Sequence, residues 1–146
     1  MTTDATDFCL RLSRAHAVLI RRFDNSLGSH HGISFSDYQL LHHLARAPGG
    51  RLRRVDLAER LGLTASGVTR TLLPLEKIGL VGREPDPRDA RVGFAVLTDA
   101  GRELMNNATT VVDLLAKDAV KNVAPDQMAA LSYVLGEIAG INHANA

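Results

Sequence analysis

Residues 83–98, REPDPRDARVGFAVLT, set three arginines and three carboxylates around two prolines before the chain turns apolar. Arginine next to aspartate suits the binding of anions rather than the breaking of bonds: the carboxylate can hold the guanidinium in an extended, pre-organised pose. A second set lies in TASGVTR, residues 64–70. Hydroxyls in the first turn of a helix can meet phosphate oxygens, and an arginine beyond them is long enough to reach guanine O6 and N7 in a major groove.

The other reactive side chains form no catalytic centre. No nucleophile, base and orienting group share a recognisable arrangement, and no glycine-rich phosphate loop occurs, so neither an enzyme nor a cofactor is expected. His30–His31 and His42–His43 raise metal binding, but adjacent histidines on a helix do not easily reach one ion, and no metal site is expected. The single cysteine, Cys9, cannot form an internal disulfide, which fits a reducing compartment.

The two arginine-bearing segments need a scaffold, and LRRVDLAERLGLTASGVTRTLLPLEKIGL, residues 52–80, supplies one. Val55, Ala58 and Leu61 make a short apolar stripe, Gly62 can take the left-handed conformation that ends a helix, and Thr64 can cap the next. Val68, Leu72 and Leu75 then point one way, with the period continuing to Ile78, while Ser66, Thr69, Arg70 and Lys77 lie on the other side. Pro74 removes one backbone hydrogen bond and predicts a kink, and Gly79 ends the helix. LVGRE and RVGFAVL read as two short strands joined by a PDPRDA turn. A charged hairpin directly after a helix-turn-helix is a winged helix, with the hairpin as a wing whose arginines can reach a narrow minor groove. The bland alternative is an edge hairpin whose charges keep it from aggregating.

Length and composition suit one compact unit: 146 residues, 45% hydrophobic and 23% charged. No apolar run is long enough to span a bilayer and the N-terminus lacks a leader pattern, so the expected location is the cytoplasm. Net charge is only +1, yet residues 46–97 carry ten basic and six acidic side chains against three and six in residues 98–146. The basic block coincides with the winged helix, as a nucleic-acid-facing module would require.

The flanks are helical. Phe8, Leu12, Ala15, His16, Leu19 and Phe23 recur at helical spacing until the pattern fades at Gly28. Ser34 and Asp37 resemble a capping box for a helix through Tyr38, Leu41 and Leu44, closed by PGG at 48–50. Thr98 can cap a helix with Leu104, Ala108, Val111, Val112, Leu115 and Ala119 on one stripe. Pro125 opens a last one with Met128, Leu131, Val134, Leu135, Ile138 and Ile141. So much apolar helix surface without a partner sheet is best buried against a second copy, which predicts a homodimer.

LAERLGLTASGVTRTLLPLEKIGLVGREPDPRDARVGFAVLTDAGRE resembles the MarR family of bacterial transcription regulators, and the order of flanking helices agrees over nearly the whole chain. The sharpest element is Asp86, Arg88, Asp89, Arg91 followed by VLTDAG. The resemblance implies a mainly α winged helix-turn-helix with a two-stranded wing at residues 35–97, on a helical dimerisation region at 1–34 and 98–146. It implies that Arg91 enters a minor groove with Asp89 bracing it, and that Thr64, Ser66, Gly67, Thr69, Arg70, Arg88, Asp89 and Arg91 meet double-stranded DNA. It further implies a dimeric repressor of a pseudo-palindromic operator, released by a small aromatic or phenolic effector in a crevice bordered by His16, Arg21 and Tyr38. Two alternatives stand beside it: a winged-helix interaction module that reads no DNA, and a redox switch at Cys9. The peroxide-sensing branch surrounds its cysteine with tyrosine hydroxyls, whereas Ser13 and Phe23 stand in the corresponding neighbourhood here.

Overall fold

The computed structural model describes residues 1–140, apart from the side chain of Ala90. Helix α1 spans Asp4–His31, α2 Phe35–Arg46, strand β1 Arg51–Arg53, α3 Arg54–Leu61, α4 Ala65–Lys77, β2 Val81–Asp86, β3 Asp89–Leu97, α5 Asp99–Ala119 and α6 Pro125–Ala139. This is the winged-helix order, with long helices on either side.

Local chemistry sets most boundaries. Thr3, Thr64 and Thr98 each accept the N–H three residues on, closing one orphan donor at the starts of α1, α4 and α5. Ser34 and Asp37 form a reciprocal capping box at α2. Gly62 sits at φ 66°, so α3 stops and the chain turns directly into α4. Helix α1 runs past Gly28 and stops only at left-handed Gly32, φ 68°. A mid-helix glycine costs only about 1 kcal/mol, too little to end a helix that packing supports. Helix α4 runs as one helix from Ala65 to Lys77 with Pro74 inside it.

The sheet has three antiparallel strands in the order β1-β3-β2, one more than the two of the wing hairpin. Both wing strands are longer than expected and the turn shrinks to Pro87 and Arg88. Pro85 is tolerated inside β2 because that strand is an edge, where a missing N–H breaks no central ladder.

One apolar core joins Phe23, Leu27 and Ile33 of the α1 end to Leu40, Leu41 and Leu44 of α2, Leu57 of α3, Val68, Leu72 and Leu75 of α4, and Met105 and Ala108 of α5. In α3 the buried residues are Leu57 and Ala58, while Val55 is 67% exposed, so the expected stripe is rotated. Ile78 is also exposed, because the chain leaves the helix there and turns through Gly79. Helix α5 seats against the α4–β2 corner: Thr98 Oγ1 donates to the carbonyls of Gly79 and Leu80 at 2.7 and 3.0 Å. A Cβ on Gly101 would fall on the Leu80 carbonyl oxygen, so only glycine lets α5 approach this closely. Ala119, expected on the buried stripe of α5, is exposed.

Helix α6 is different. Only Gly136 is buried, and Leu131, Val134, Leu135 and Ile138 stay about half exposed. Ile141, expected on the same face, lies outside the described residues. Phe8 and Leu10 on the first turns of α1 are exposed as well. No helix of the described residues is long and apolar enough to cross a membrane.

Candidate functional site

Helix α4 buries Val68, Leu72 and Leu75 and shows its polar side outward. Thr64 Oγ1 accepts from Gly67 N at 3.1 Å and lies 3.2 Å from Ser66 Oγ, so both hydroxyls cluster at the helix start. Thr69 Oγ1 turns back to donate to the Ala65 carbonyl at 3.2 Å. Arg70 and Lys77 are exposed. Among the described residues Arg54, Arg70 and Arg88 face no carboxylate at ion-pair distance, which leaves their donors for an external anion.

At the wing, Asp89 grips Arg91 with both oxygens: Oδ1 accepts from Nε at 3.1 Å and from the backbone N–H at 3.0 Å, and Oδ2 accepts from Nη2 at 3.2 Å. These bonds, the guanidinium's first, hold the Asp89 carboxyl below its ordinary range. The Arg91 side chain is still 90% exposed. The β2–β3 register explains its stance. Pro85 pairs with Gly93 but Asp86 with Asp89, so residues 90–92 have no Cα partner on β2. A bulge of this kind re-aims side chains, and Arg91 sits in its middle.

The base of the wing is tied down by residues to which the sequence reading gave no role. Arg51 Nη1 donates to Glu84 Oε2 at 3.0 Å, and Arg53 Nη2 to Asp86 Oδ2 at 2.6 Å. Both guanidiniums cross β3 over the Phe94 ring, 4.8 and 5.8 Å from its centroid. The signal for this was the arginine-leucine-arginine alternation at 51–53, which puts both arginines on one face of a strand. Arg53, Arg54, Arg83 and Arg91 border an open cleft of about 520 Å³ between the start of α3 and the wing.

A second cavity, about 360 Å³, lies where α1 meets the winged helix. His16 and Ile20 of α1, Ser36 and Gln39 of α2, Leu61 of α3, Gly62 and Leu63 of the α3–α4 turn, and Thr71 of α4 line it. Of the three residues expected to border a crevice, His16 lies here. Arg21 is exposed on α1, and Tyr38 is buried with its hydroxyl 2.8 Å from Thr109 Oγ1. Thr109 donates to the Met105 carbonyl, so Tyr38 is the donor of that pair.

His42 and His43 meet edge to face at 5.4 Å. Burial, then His42, Arg60 and Arg46, push His43 down to about 4, and burial followed by Arg46 lowers His42. Both rings are therefore neutral near pH 7. Among the described residues no three of His, Cys, Asp and Glu gather as a metal cage would require.

The sequence profile of the MarR family matches residues 31–92, from the end of α1 into the wing. The chain is 32% identical to the HTH-type transcriptional regulator YdgJ of Bacillus subtilis strain 168 over 107 residues, 73% of this chain and 64% of that protein. With YkoM of the same organism, another HTH-type transcriptional regulator, it shares 30% identity over 112 residues, 77% and 71% of the two chains. The matches thus span about two thirds of the length of these regulators. Sco3205, a MarR family transcriptional regulator from Streptomyces coelicolor whose crystal structure is a complex with DNA, superposes with a TM-score of 0.85 at 30% identity. That match covers 95% of this chain and 88% of Sco3205.

Proposed function

The chain belongs to the MarR family of winged-helix transcription regulators, and on that premise we propose that it is a cytoplasmic homodimeric repressor, released from a pseudo-palindromic operator by a small ligand. Residues 35–97 form the DNA-binding unit, and residues 1–34 with 98–146 carry the dimer contact. The observation that carries this reading is the braced, outward Arg91 on its bulged wing. Presented ahead of the sheet, that guanidinium enters a narrow minor groove, while α4 lays Arg70 and the Thr64, Ser66, Gly67 and Thr69 segment in the adjacent major groove. Arg88 at the turn adds a phosphate contact.

Dimerisation is supported by the uncovered apolar faces of α6 and of the first turns of α1, which a second copy would bury. Effector control is supported by the 360 Å³ cavity, near the lower end of the size range of small-molecule sites. Its walls mix Ile20, Leu61 and Leu63 with His16, Gln39 and Thr71, a composition that suits a small aromatic or phenolic compound. A ligand that fits better when the α3–α4 turn is displaced from α1 shifts the population away from the DNA-competent spacing.

Selection of bound fragments from genomic DNA with the purified protein tests the reading. Enrichment of a two-fold symmetric site with half-sites roughly 10 base pairs apart is expected. Recovery of no common sequence at moderate salt would overturn it.

A further inference from the structure

Asp86 is the one charged side chain buried among the described residues, 4% exposed. Both its oxygens are engaged: Oδ2 accepts from Arg53 Nη2 at 2.6 Å, and Oδ1 accepts from the Arg88 backbone N–H at 2.9 Å. These partners lie in separate parts of the molecule. Arg53 is the residue that leads into α3, Arg88 is in the wing turn, and Asp86 itself ends β2. The Arg88 N–H and the Arg53 guanidinium hold the carboxyl below its ordinary range against the effect of burial, so it is charged near pH 7. A buried carboxylate is tolerated only when paired and hydrogen-bonded, so turn and helix are both held to it.

The β2–β3 ladder cannot do this job alone, because its register slips between Pro85 and Asp86, just where the tip begins. We infer that Asp86 is a positioning residue for DNA readout: by pairing with Arg53 it locks the wing tip to the start of α3, so that Arg91 and α4 approach DNA as one rigid body. Helix α3 is joined to α4 by the tight turn at Gly62 and Leu63, so the strut ties the minor-groove arm to the major-groove helix. The inference rests on the proposed entry of Arg91 into a minor groove.

Simple charge counting gives the opposite sign. Removing a negative charge close behind the proposed DNA-facing surface should strengthen binding, whereas loss of the strut should weaken it. The near-isosteric Asp86→Asn keeps an acceptor for the Arg88 N–H and discharges the partner of Arg53. It is expected to lower affinity for the selected operator about tenfold, with the salt dependence unchanged because no phosphate contact is lost. The loss caused by Arg91→Ala should shrink in the Asp86→Asn background, since a mis-aimed arginine contributes less. Equal or tighter operator binding by Asp86→Asn, with Arg91→Ala costing the same in both backgrounds, overturns the inference and leaves the minor-groove reading standing. An Arg91→Ala change without effect in the otherwise unaltered protein overturns both. Circular dichroism melts accompany each variant. If Asp86→Asn does not fold, Arg53→Gln breaks the same pair from its solvent side, and undiminished dependence on Arg91 in that variant is the overturning result.

Discussion

The winged-helix segment and the terminal helices treat their apolar residues in opposite ways. Beneath the exposed Arg70, α4 buries Val68, Leu72 and Leu75 completely or nearly so. Helix α6 leaves Leu131, Val134, Leu135 and Ile138 about half exposed, and α1 leaves Phe8 and Leu10 in the open. The first region is finished by its own chain and turns its cations outward. The second turns apolar surface outward, which in water is costly at about 25 cal/mol for each Å² left uncovered. Under the proposed function, this division separates a surface for reading DNA from a surface for fixing the spacing of two readers.

The largest effect expected from this contrast comes from residues far from any DNA contact. Ten basic against six acidic side chains in residues 46–97 leave each winged-helix segment only a modest net charge, so on the proposed reading useful affinity depends on engaging two half-sites together. Replacing Leu135 and Ile138 by glutamate should give a folded monomer whose operator affinity falls by about a hundredfold or more, the scale on which linked binding acts. Inserting five base pairs between half-sites should do the same to the unaltered protein by turning one half-site to the opposite face. Sedimentation velocity beside a binding titration checks both. A monomer that kept tight binding would erase the distinction between the two regions.

Within the region proposed to face DNA, Arg70 and Arg91 should fail differently. Among the described residues Arg70 has no carboxylate at ion-pair distance, and on its helix face it suits a base edge, so Arg70→Ala should lose about 1–3 kcal/mol on the specific operator and relax preference at one position per half-site. Arg91 is pre-set by Asp89 and suits groove shape. Arg91→Ala should weaken binding chiefly where an A·T tract narrows the minor groove. Competition among operator variants separates them, and equal losses on every sequence would reduce both to phosphate contacts.

What could be read from sequence was local. Ser34 with Asp37, Gly62, Thr64, Thr98 and Pro125 marked helix ends because a cap acts within three or four residues of itself. The Asp89–Arg91 brace was equally near in sequence. The misses came from distance or brevity. Arg53 and Asp86 are 33 residues apart and meet only when β3 lies between them. Strand β1 has three residues, too few for alternation to stand out, and α3 has eight, so Val55 and Leu57 competed for the buried side on barely two turns. The cavity beside His16 draws on four helices and the α3–α4 turn, and no single stretch announces it.

The seam between α2 and α3 offers a smaller test, confined to the self-contained region. His43 titrates near 4 when folded and near 6.5 when free, because burial, His42, Arg60 and Arg46 all oppose its charge. Between those values the unfolded chain binds a proton that the folded chain refuses, so stability falls as pH drops from about 6.5 toward 4. One proton limits the slope to about 1.4 kcal/mol per pH unit, and the half-exposed ring should give less. Urea midpoints across this range should fall in the unaltered protein and flatten in His43→Gln. Identical slopes would assign the acid sensitivity elsewhere.

The smallest effect is expected at the thiol on the uncovered side. Cys9 lies exposed on the early turns of α1, and among the described residues nothing hydrogen-bonds its sulfur. A sensing thiol needs neighbours that stabilise its thiolate and answer its oxidation with a rearranged bond. The nearby surface of α1 is built instead from residues such as Phe8 and Leu10, which suit a partner helix. Cys9→Ser should therefore keep operator affinity within about threefold, less than 1 kcal/mol, and peroxide titration should leave both proteins bound. Release of the unaltered protein alone, reversed by reductant, would show that the face proposed to form the dimer also carries the signal, and the proposed division between a reading surface and a spacing surface would have to be redrawn.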